Sequence, residues 1–152
     1  MIEHDRLNLI NARALAEGRG LELTAGESSA LAPNAVEVSL RGAMQELTVA
    51  GTASADGGPR LTRIGAFHVD VNPRQTLIVL TNRDVPGVIG RVGTLLGDAG
   101  VNIGEYHQAR LAQGGEALAV ISVDGRVDAS VRQRLCELPD VQGASVVQFR
   151  GL

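Results

Sequence analysis

The spacing of apolar residues changes at Asn72-Pro73, near the middle of this chain. Before that point, single apolar residues alternate with polar ones, as over residues 36–40, which is the period of a strand with one buried face. After it, a run at helical spacing over residues 88–96 follows a short apolar run over residues 76–81. Because proline lacks a backbone N–H and restricts the residue before it, one element must end here. The sequence therefore predicts two domains, residues 1–73 and residues 74–152.

The upstream domain is predicted to be a short helix followed by an antiparallel meander. Apolar residues at roughly helical spacing run from about Asp5 to Glu17, with Asn8 or Asn11 as the N-cap. Runs of period two follow, separated by turn signals, over residues 21–25, 36–41, 47–49 and 64–71. We expect about four strands, with a hairpin turn at Asp56-Gly57, where a tight turn needs a positive φ.

The downstream domain is predicted to follow the order strand, helix, strand, strand, helix, strand. These elements are expected at about residues 76–81, 88–96, 101–109, 117–123, 128–138 and 141–149. Pro86 suits the first turn of the first helix, where its missing N–H would be unpaired in any case. A split βαβ order gives an antiparallel sheet with both helices on one face. The predicted fold class is α+β, with a ferredoxin-like βαββαβ second domain.

Composition excludes several classes of protein. The 14 basic residues are all arginine, which rules out lysine Schiff-base chemistry and a P-loop. A net charge of −3, with two phenylalanines and one tyrosine as the aromatic residues, argues against nucleic-acid binding. No apolar run approaches the roughly 20 residues of a membrane span. The acidic start MIEHDRLNL is unlike a signal peptide, so we expect a cytoplasmic location.

The sequence offers no catalytic residues and no metal site. Glu105 and His107 share one face of a predicted strand, but zinc needs three or four ligands, so a solvated face is the simpler interpretation. Cys136 falls at an apolar position of the last helix and is expected to be buried. The glycines spaced from Gly87 to Gly97 lack the G-x-G opening of a nucleotide loop. We expect them to let another helix or sheet approach closely.

One constellation suits a free amino acid. The turn Asn82-Arg83-Asp84-Val85-Pro86-Gly87 stands where a strand meets a helix, and the N–H groups at a helix start, here near Val88, attract a carboxylate. Asp84 can accept from an ammonium group, and Asn102 can both donate and accept. Alternatively, Asp84 simply caps the helix and Asn102 satisfies a turn. The residues alone leave both interpretations open.

The stretch NRDVPGVIGRVGTLLGDAGVNIGEYHQAR and the βαββαβ order resemble the ACT domain, a regulatory module of amino-acid metabolism. The resemblance covers about residues 75–149 and is strongest to the carboxy-terminal domain of the D-3-phosphoglycerate dehydrogenase family. It implies that L-serine, or a similar small amino acid, binds where two ACT domains pair in a homodimer or tetramer. The residues implied at this effector site are Asn82, Asp84, Pro86, Gly87, Val88 and Asn102.

The upstream half resembles the intervening domain of long-form members of that family. The carrying segments are LNLINARALAEGRGLEL and RLTRIGAFHVDVNP. This likeness implies an anion site for a substrate-like ligand at Arg60, His68 and Arg74, with Asn72 where some members have arginine. It further implies that residues 1–73 are only part of that domain. The chain would be a non-catalytic C-terminal fragment, with no cofactor of its own and NAD held in a missing catalytic domain.

The sequence leaves two other interpretations of the function open. The chain could be the regulatory region of an L-serine dehydratase subunit, a family that carries iron–sulfur cysteines on a catalytic part. The lone Cys136 cannot supply those ligands. The chain could instead be a stand-alone amino-acid sensor with no attached enzyme.

Overall fold

The computed structural model describes residues 10–29, 31–53, 58–73 and 76–149. The chain divides into two units, residues 1–30 and residues 31–152. In the first unit, helix α1 spans Ala12–Gly18 after the N-cap Asn11, whose side chain makes no capping hydrogen bond. The alternative cap, Asn8, lies outside the described residues.

Residues 21–25 form no strand, so the prediction of a strand there is wrong. Apolar alternation produces a strand only where a neighbouring strand can take up the backbone hydrogen bonds. The described residues of the first unit contain no strand that could do this. Instead, the carbonyl oxygen of Leu23 accepts a hydrogen bond from Nη2 of Arg13 at 3.3 Å.

The second unit begins with the predicted meander. Its four strands pair antiparallel in chain order, namely β1 (Ala35–Arg41), β2 (Glu46–Ala53), β3 (Pro59–Ile64) and β4 (Phe67–Val71). The run predicted over residues 64–71 is divided between β3 and β4, because Gly65 turns the chain with a φ of +57°. The predicted turn Asp56-Gly57 lies outside the described residues.

The remaining elements confirm the βαββαβ prediction. They are β5 (Thr76–Arg83), α2 (Val88–Asp98), β6 (Ile103–Arg110), β7 (Glu116–Val123), α3 (Ala129–Cys136) and β8 (Val141–Gln148). The sheet order is β6-β7-β5-β8, with every neighbouring pair antiparallel. β6 is therefore the edge strand on one side of this sheet, and β8 is the edge strand on the other side.

Both helices cover one face of this second sheet. The core between them is built from alternate strand residues and the inner stripe of each helix, including Ile78, Leu80, Val92, Leu96, Ile121 and Leu135. Cys136 is exposed, so its predicted burial is wrong. Val131 and Leu135 are buried on α3, and the next residue is turned about 100° away from that stripe.

The helix-free face of the second sheet packs against the meander. This second core joins strand β4 to strands β5 and β7 through Phe67, Val69, Val71, Leu77, Leu118 and Val120. The predicted domain boundary at residues 73 and 74 therefore falls between two sheets that share a core. At the edge of the meander opposite β4, the apolar residues of β1 are exposed.

Candidate functional site

The turn between β5 and α2 has a conformation that only glycine adopts easily. Gly87 is the N-cap of α2, with a φ of +89°, in the left-handed region that disfavours side chains. A Cβ at this position would also lie 3.0 Å from Nη1 of Arg91. Pro86 precedes the cap and lies outside the helix, so its predicted place in the first turn is wrong. Gly87, and not Pro86, is the residue that immediately precedes the helix.

The start of α2 presents backbone donors that have no partner among the described residues. The first intrahelical hydrogen bond joins the N–H of Arg91 to the carbonyl oxygen of Gly87 at 3.0 Å. The preceding N–H groups of Val88, Ile89 and Gly90 therefore have no carbonyl within the helix. Gly87 has no side chain that could accept from them. These donors and the positive end of the helix dipole favour an anionic group at this point.

Asn82 brings a buried amide to the same end of the sheet. Alternation along β5 places it on the helix-covered face with Ile78 and Leu80, and its side chain is fully buried. Its Nδ2 donates to the carbonyl oxygen of Arg83 at 2.7 Å, while its Oδ1 has no hydrogen-bond partner among the described residues. A buried acceptor without a partner is unusual. A donor that reached this oxygen would satisfy it.

Asp84 ties this turn to the β6–β7 hairpin. Its Oδ2 accepts from Nη1 of Arg110 at 3.1 Å and from the N–H of Gly114 at 3.3 Å. The N–H of Asp84 donates to the carbonyl oxygen of Gly115 at 2.8 Å. The hydrogen bond from Arg110 is the main cause that holds the pKa of Asp84 below its ordinary value, followed by the bond from Gly114.

Arg91 is a residue of this region that sequence reasoning missed. Its Nη2 donates to Oδ2 of Asp140 at 3.1 Å and to the carbonyl oxygen of Pro139 at 3.3 Å. The N–H of Arg83 donates to the carbonyl oxygen of Asp140 at 2.9 Å. The bonds from Arg91 fix the turn before β8 against the start of α2, and the bond from Arg83 fixes it against the end of β5. A signal was present, because a basic residue in a first helical turn is unfavourable without an acidic partner.

Asn102 lies at the opposite end of the sheet within the same chain. It immediately precedes β6, and its Nδ2 donates to Oδ2 of Asp124 at 2.6 Å. β5 has eight residues between these two ends, which at about 3.3 Å per residue separates them by more than 20 Å. Asn82, Asp84, Pro86, Gly87 and Val88 are thus brought together, while Asn102 of the same chain is not.

The residues expected to bind an anion are placed differently. Arg60 is engaged by acceptors, since its Nε lies 2.6 Å from Oδ1 of Asp70 and its Nη2 donates to the Asp70 carbonyl at 2.9 Å. His68 is exposed on β4, two residues before Asp70 on the same side of the strand. Arg74 lies outside the described residues. The anion site stays a prediction.

Other expectations concern metals, membranes and the glycines of α2. The described part of the chain contains no group of three His, Cys, Asp or Glu side chains that could hold a metal ion. Nor does any described helix have the length and apolar character needed to cross a membrane. A Cβ at Gly90, Gly93 or Gly97 would meet nothing within 4 Å. The predicted close packing is therefore wrong for the described residues, and this side of α2 is open.

Comparison with known proteins finds a family match that covers strands β5, β6 and β7 and both helices of the second sheet. The sequence model of the ACT domain family matches residues 76–140. The chain is 31% identical over 145 residues to a D-3-phosphoglycerate dehydrogenase of Bacillus subtilis, covering 94% of this chain and 28% of that protein. It is 27% identical over 144 residues to the D-3-phosphoglycerate dehydrogenase of Methanocaldococcus jannaschii, covering 94% of this chain and 27% of that protein.

A third relative extends the same pattern. The D-3-phosphoglycerate dehydrogenase of Mycobacterium tuberculosis is 32% identical over 152 residues, which cover 95% of this chain and 28% of that protein. The chain thus spans little more than a quarter of the length of these curated relatives. Residues 76–140 match the ACT domain family, and the chain is similar to D-3-phosphoglycerate dehydrogenases along almost its whole length.

Proposed function

We propose that this chain is a regulatory, non-catalytic portion of a D-3-phosphoglycerate dehydrogenase that binds L-serine through its ACT domain. The similarity to that enzyme over 94% of the chain supports the assignment. The sequence has no G-x-G-x-x-G turn, which is the segment that binds the dinucleotide in Rossmann-type enzymes. NAD and the dehydrogenase chemistry would belong to another part of a longer enzyme.

Two observations carry serine binding: Oδ1 of the fully buried Asn82 has no partner among the described residues, and α2 begins with N–H groups without a capping side chain six residues further along the chain. An α-amino acid has a carboxylate and an ammonium group only a few ångströms apart. The carboxylate would accept from the N–H groups at Val88 and the following residues, as anions do at helix starts. The ammonium group would donate to Oδ1 of Asn82, which would satisfy the buried acceptor.

Asp84 would contribute its second carboxylate oxygen. Both of its hydrogen bonds use Oδ2, and among the described residues its Oδ1 accepts none. Arg110 keeps this carboxylate ionised, because it lowers the pKa of Asp84. An ionised oxygen next to the turn provides a favourable partner for an ammonium group.

A second copy of the chain would complete the site. β6 is an edge strand of its sheet in the described structure, so two copies can pair antiparallel along it. Such pairing places the start of the partner's β6 beside the end of this one. Asn102 of the partner subunit would then lie near Arg110, which already bonds Asp84. The separation of Asn82 and Asn102 within one chain is thus what a site shared across a two-fold axis requires.

Regulation follows from where the ligand would bind. A serine molecule held by two subunits favours the inter-subunit arrangement in which both sets of groups reach it. That preference is a coupling free energy between the effector site and any site that senses the arrangement. In a complete enzyme, the sensing site would be the active site of the dehydrogenase.

Isothermal titration calorimetry with L-serine tests this function. We expect the native chain to bind serine, and Asn82→Ala to bind it at least about tenfold more weakly, since a buried hydrogen bond is lost. Asp84→Ala is expected to lose binding as well. Asn102→Ala should weaken binding by a similar factor, because it removes the group from the partner subunit.

Asn11→Ala is the matched control, because it removes the same amide from the first unit. Its serine affinity should equal that of the native chain. Absence of serine binding by the native chain, or unchanged affinity in Asn82→Ala with the fold intact by circular dichroism, would refute the proposal.

A further inference from the structure

Strand β1 is an edge strand with little protection. It is seven residues long, and no described strand pairs with its outer side. Proteins usually guard such edges with proline, a bulge or an inward-pointing charge. β1 reads AVEVSLR, keeps an unbroken register with β2, and exposes Val36, Val38 and Leu40 by 60% or more. An edge of this kind is suited to pairing with another strand.

We propose that β1 pairs antiparallel with β1 of a second copy of this chain, about a two-fold axis through Ser39. The interface lies on the meander, so it goes beyond the effector site and does not depend on serine binding. Its partner is a second copy because the strand is complementary to itself in both charge and apolarity.

The register follows from two conditions. Directly opposed residues of an antiparallel pair must project from the same face of the sheet. This condition allows a two-fold axis at Glu37, Val38 or Ser39 if most of the strand is to remain paired. Only the axis at Ser39 places Glu37 opposite Arg41 of the partner subunit. Charge complementarity therefore selects Ser39.

The charged row already exists on each side of the axis. Glu37 accepts from Arg63 of β3, with 3.0 Å between Oε2 and Nη1. Arg41 lies 2.8 Å from Glu46 of β2, measured between Nε and Oε1. Pairing at Ser39 joins the two ion pairs into one line across the sheet. The charges along this line alternate in sign, in the order Arg63, Glu37, the partner's Arg41 and the partner's Glu46.

The neighbouring rows match in the same way. Ser39 and Thr48 share a hydrogen bond of 2.8 Å between their hydroxyl oxygens, so the axis is surrounded by hydroxyl groups. Val38 is opposite Val49, and Leu40 is opposite Leu47. The axis therefore sets Val38 against the partner's Leu40, within a row that is apolar from end to end. Opposed apolar pairs of this kind stabilise antiparallel sheets.

Reversing the charge of Glu37 or Arg41 tests the proposed interface, because each of these residues is opposite the other across the axis. In Glu37→Arg, two arginines face two arginines across the axis, and in Arg41→Glu, four carboxylates meet. Each variant alone should lose the interface, halving the molar mass measured by sedimentation equilibrium. An equimolar mixture of the two variants restores both opposite-charge pairs. The mixture should regain the native mass as a heteromeric assembly.

Arg132→Glu on α3 is the matched control, since it changes the net charge by as much as Arg41→Glu does and lies away from β1. Its mass should equal that of the native chain, and circular dichroism should show that every variant is folded. Serine calorimetry on the same variants separates this interface from the effector site. Single variants that keep the native mass would overturn the proposal. A mixture that stays at half the native mass, or a native chain that sediments as one copy, would overturn it as well.

Discussion

Asp84 accepts a hydrogen bond from Arg110, with 3.1 Å between Oδ2 and Nη1, and this contact joins the loop after β5 to the end of β6. The two residues are 26 positions apart in sequence. Their side chains meet because β5 and β6 both pair antiparallel with β7. The C-terminal ends of β5 and β6 therefore lie at the same end of the sheet. The contact shapes the turn that we propose as the effector site.

The first prediction concerns the titration of Asp84. Arg110→Gln should raise the pKa of Asp84 toward the ordinary value of about 3.9, because the main interaction that lowers it is removed. In the native chain, the lowered pKa stabilises the fold above about pH 3.9, and this stabilisation is lost as the pH falls through the folded-state pKa. Carboxyl chemical shifts followed by NMR across acid pH measure both effects.

Arg83→Gln is the control for this titration, because Arg83 is exposed next to Asp84 and its side chain makes no ion pair in the described structure. The Asp84 titration should be unchanged in that variant. An Asp84 midpoint that is the same in the native chain and in Arg110→Gln would contradict the prediction.

The second prediction concerns Tyr106, the only tyrosine in a chain without tryptophan. Burial raises the pKa of its phenol, and its hydroxyl has no partner among the described residues. Near-ultraviolet absorbance should therefore show a single phenolate titration above pH 10 in the folded chain. Because the folded-state pKa is raised, the stability that this phenol contributes is present below about pH 10 and is lost as the pH rises further.

Tyr106→Phe checks the same interpretation by denaturant unfolding. Removal of a buried hydroxyl without a partner should leave the free energy of unfolding unchanged or raise it by up to about 1 kcal/mol. A loss of stability, or a phenolate midpoint at the ordinary value, would show that the hydroxyl is hydrogen-bonded or exposed.

The third prediction uses two glycines of the α2 region. Gly93 is inside the helix and a Cβ there meets nothing within 4 Å, so Gly93→Ala should raise the free energy of unfolding by about 0.5–1 kcal/mol. Gly87→Ala should lower it by about 1 kcal/mol or more, because the φ of +89° disfavours a side chain. Urea unfolding of both variants should give opposite signs. Equal signs would contradict the assigned start of α2.

The fourth prediction concerns the bulge between β2 and β3. The register shifts at Ala50 and Gly51, and a Cβ at Gly51 would lie 2.9 Å from the carbonyl oxygen of Arg60. Gly51→Ala should therefore lower the free energy of unfolding by about 1–3 kcal/mol. Gly42→Ala is the control, with its nearest atom at 3.6 Å and an expected change within about 0.5 kcal/mol. Thermal unfolding of the two variants measures the difference.

The elements of residues 76–149 could be predicted because their signals are local. The apolar run of β5 and the helical spacing of α2 are separated by a proline and a glycine, which interrupt regular structure. The exact start of α2 could not be predicted in the same way. Pro86 and Gly87 both fit a helix start, and only the backbone angles show that Gly87 caps the helix.

Elements and contacts that depend on distant partners were harder to infer. Apolar and polar residues alternate over residues 21–25 as they do in a strand, but this alternation does not indicate whether a partner strand exists. The bond from Arg91 to Asp140 joins positions 49 residues apart, so it requires the positions of α2 and β8 relative to each other. Residue types at the effector turn could be proposed from sequence, whereas the burial of Asn82 needed the fold.

The packing of strand β4 on the helix-free face of the second sheet has a mechanical consequence. Close-packed apolar layers resist small sliding displacements and move as rigid bodies instead. A tilt of the second sheet would therefore rotate the meander with it as one rigid body. Strand β1, three strands away from β4, would travel farthest.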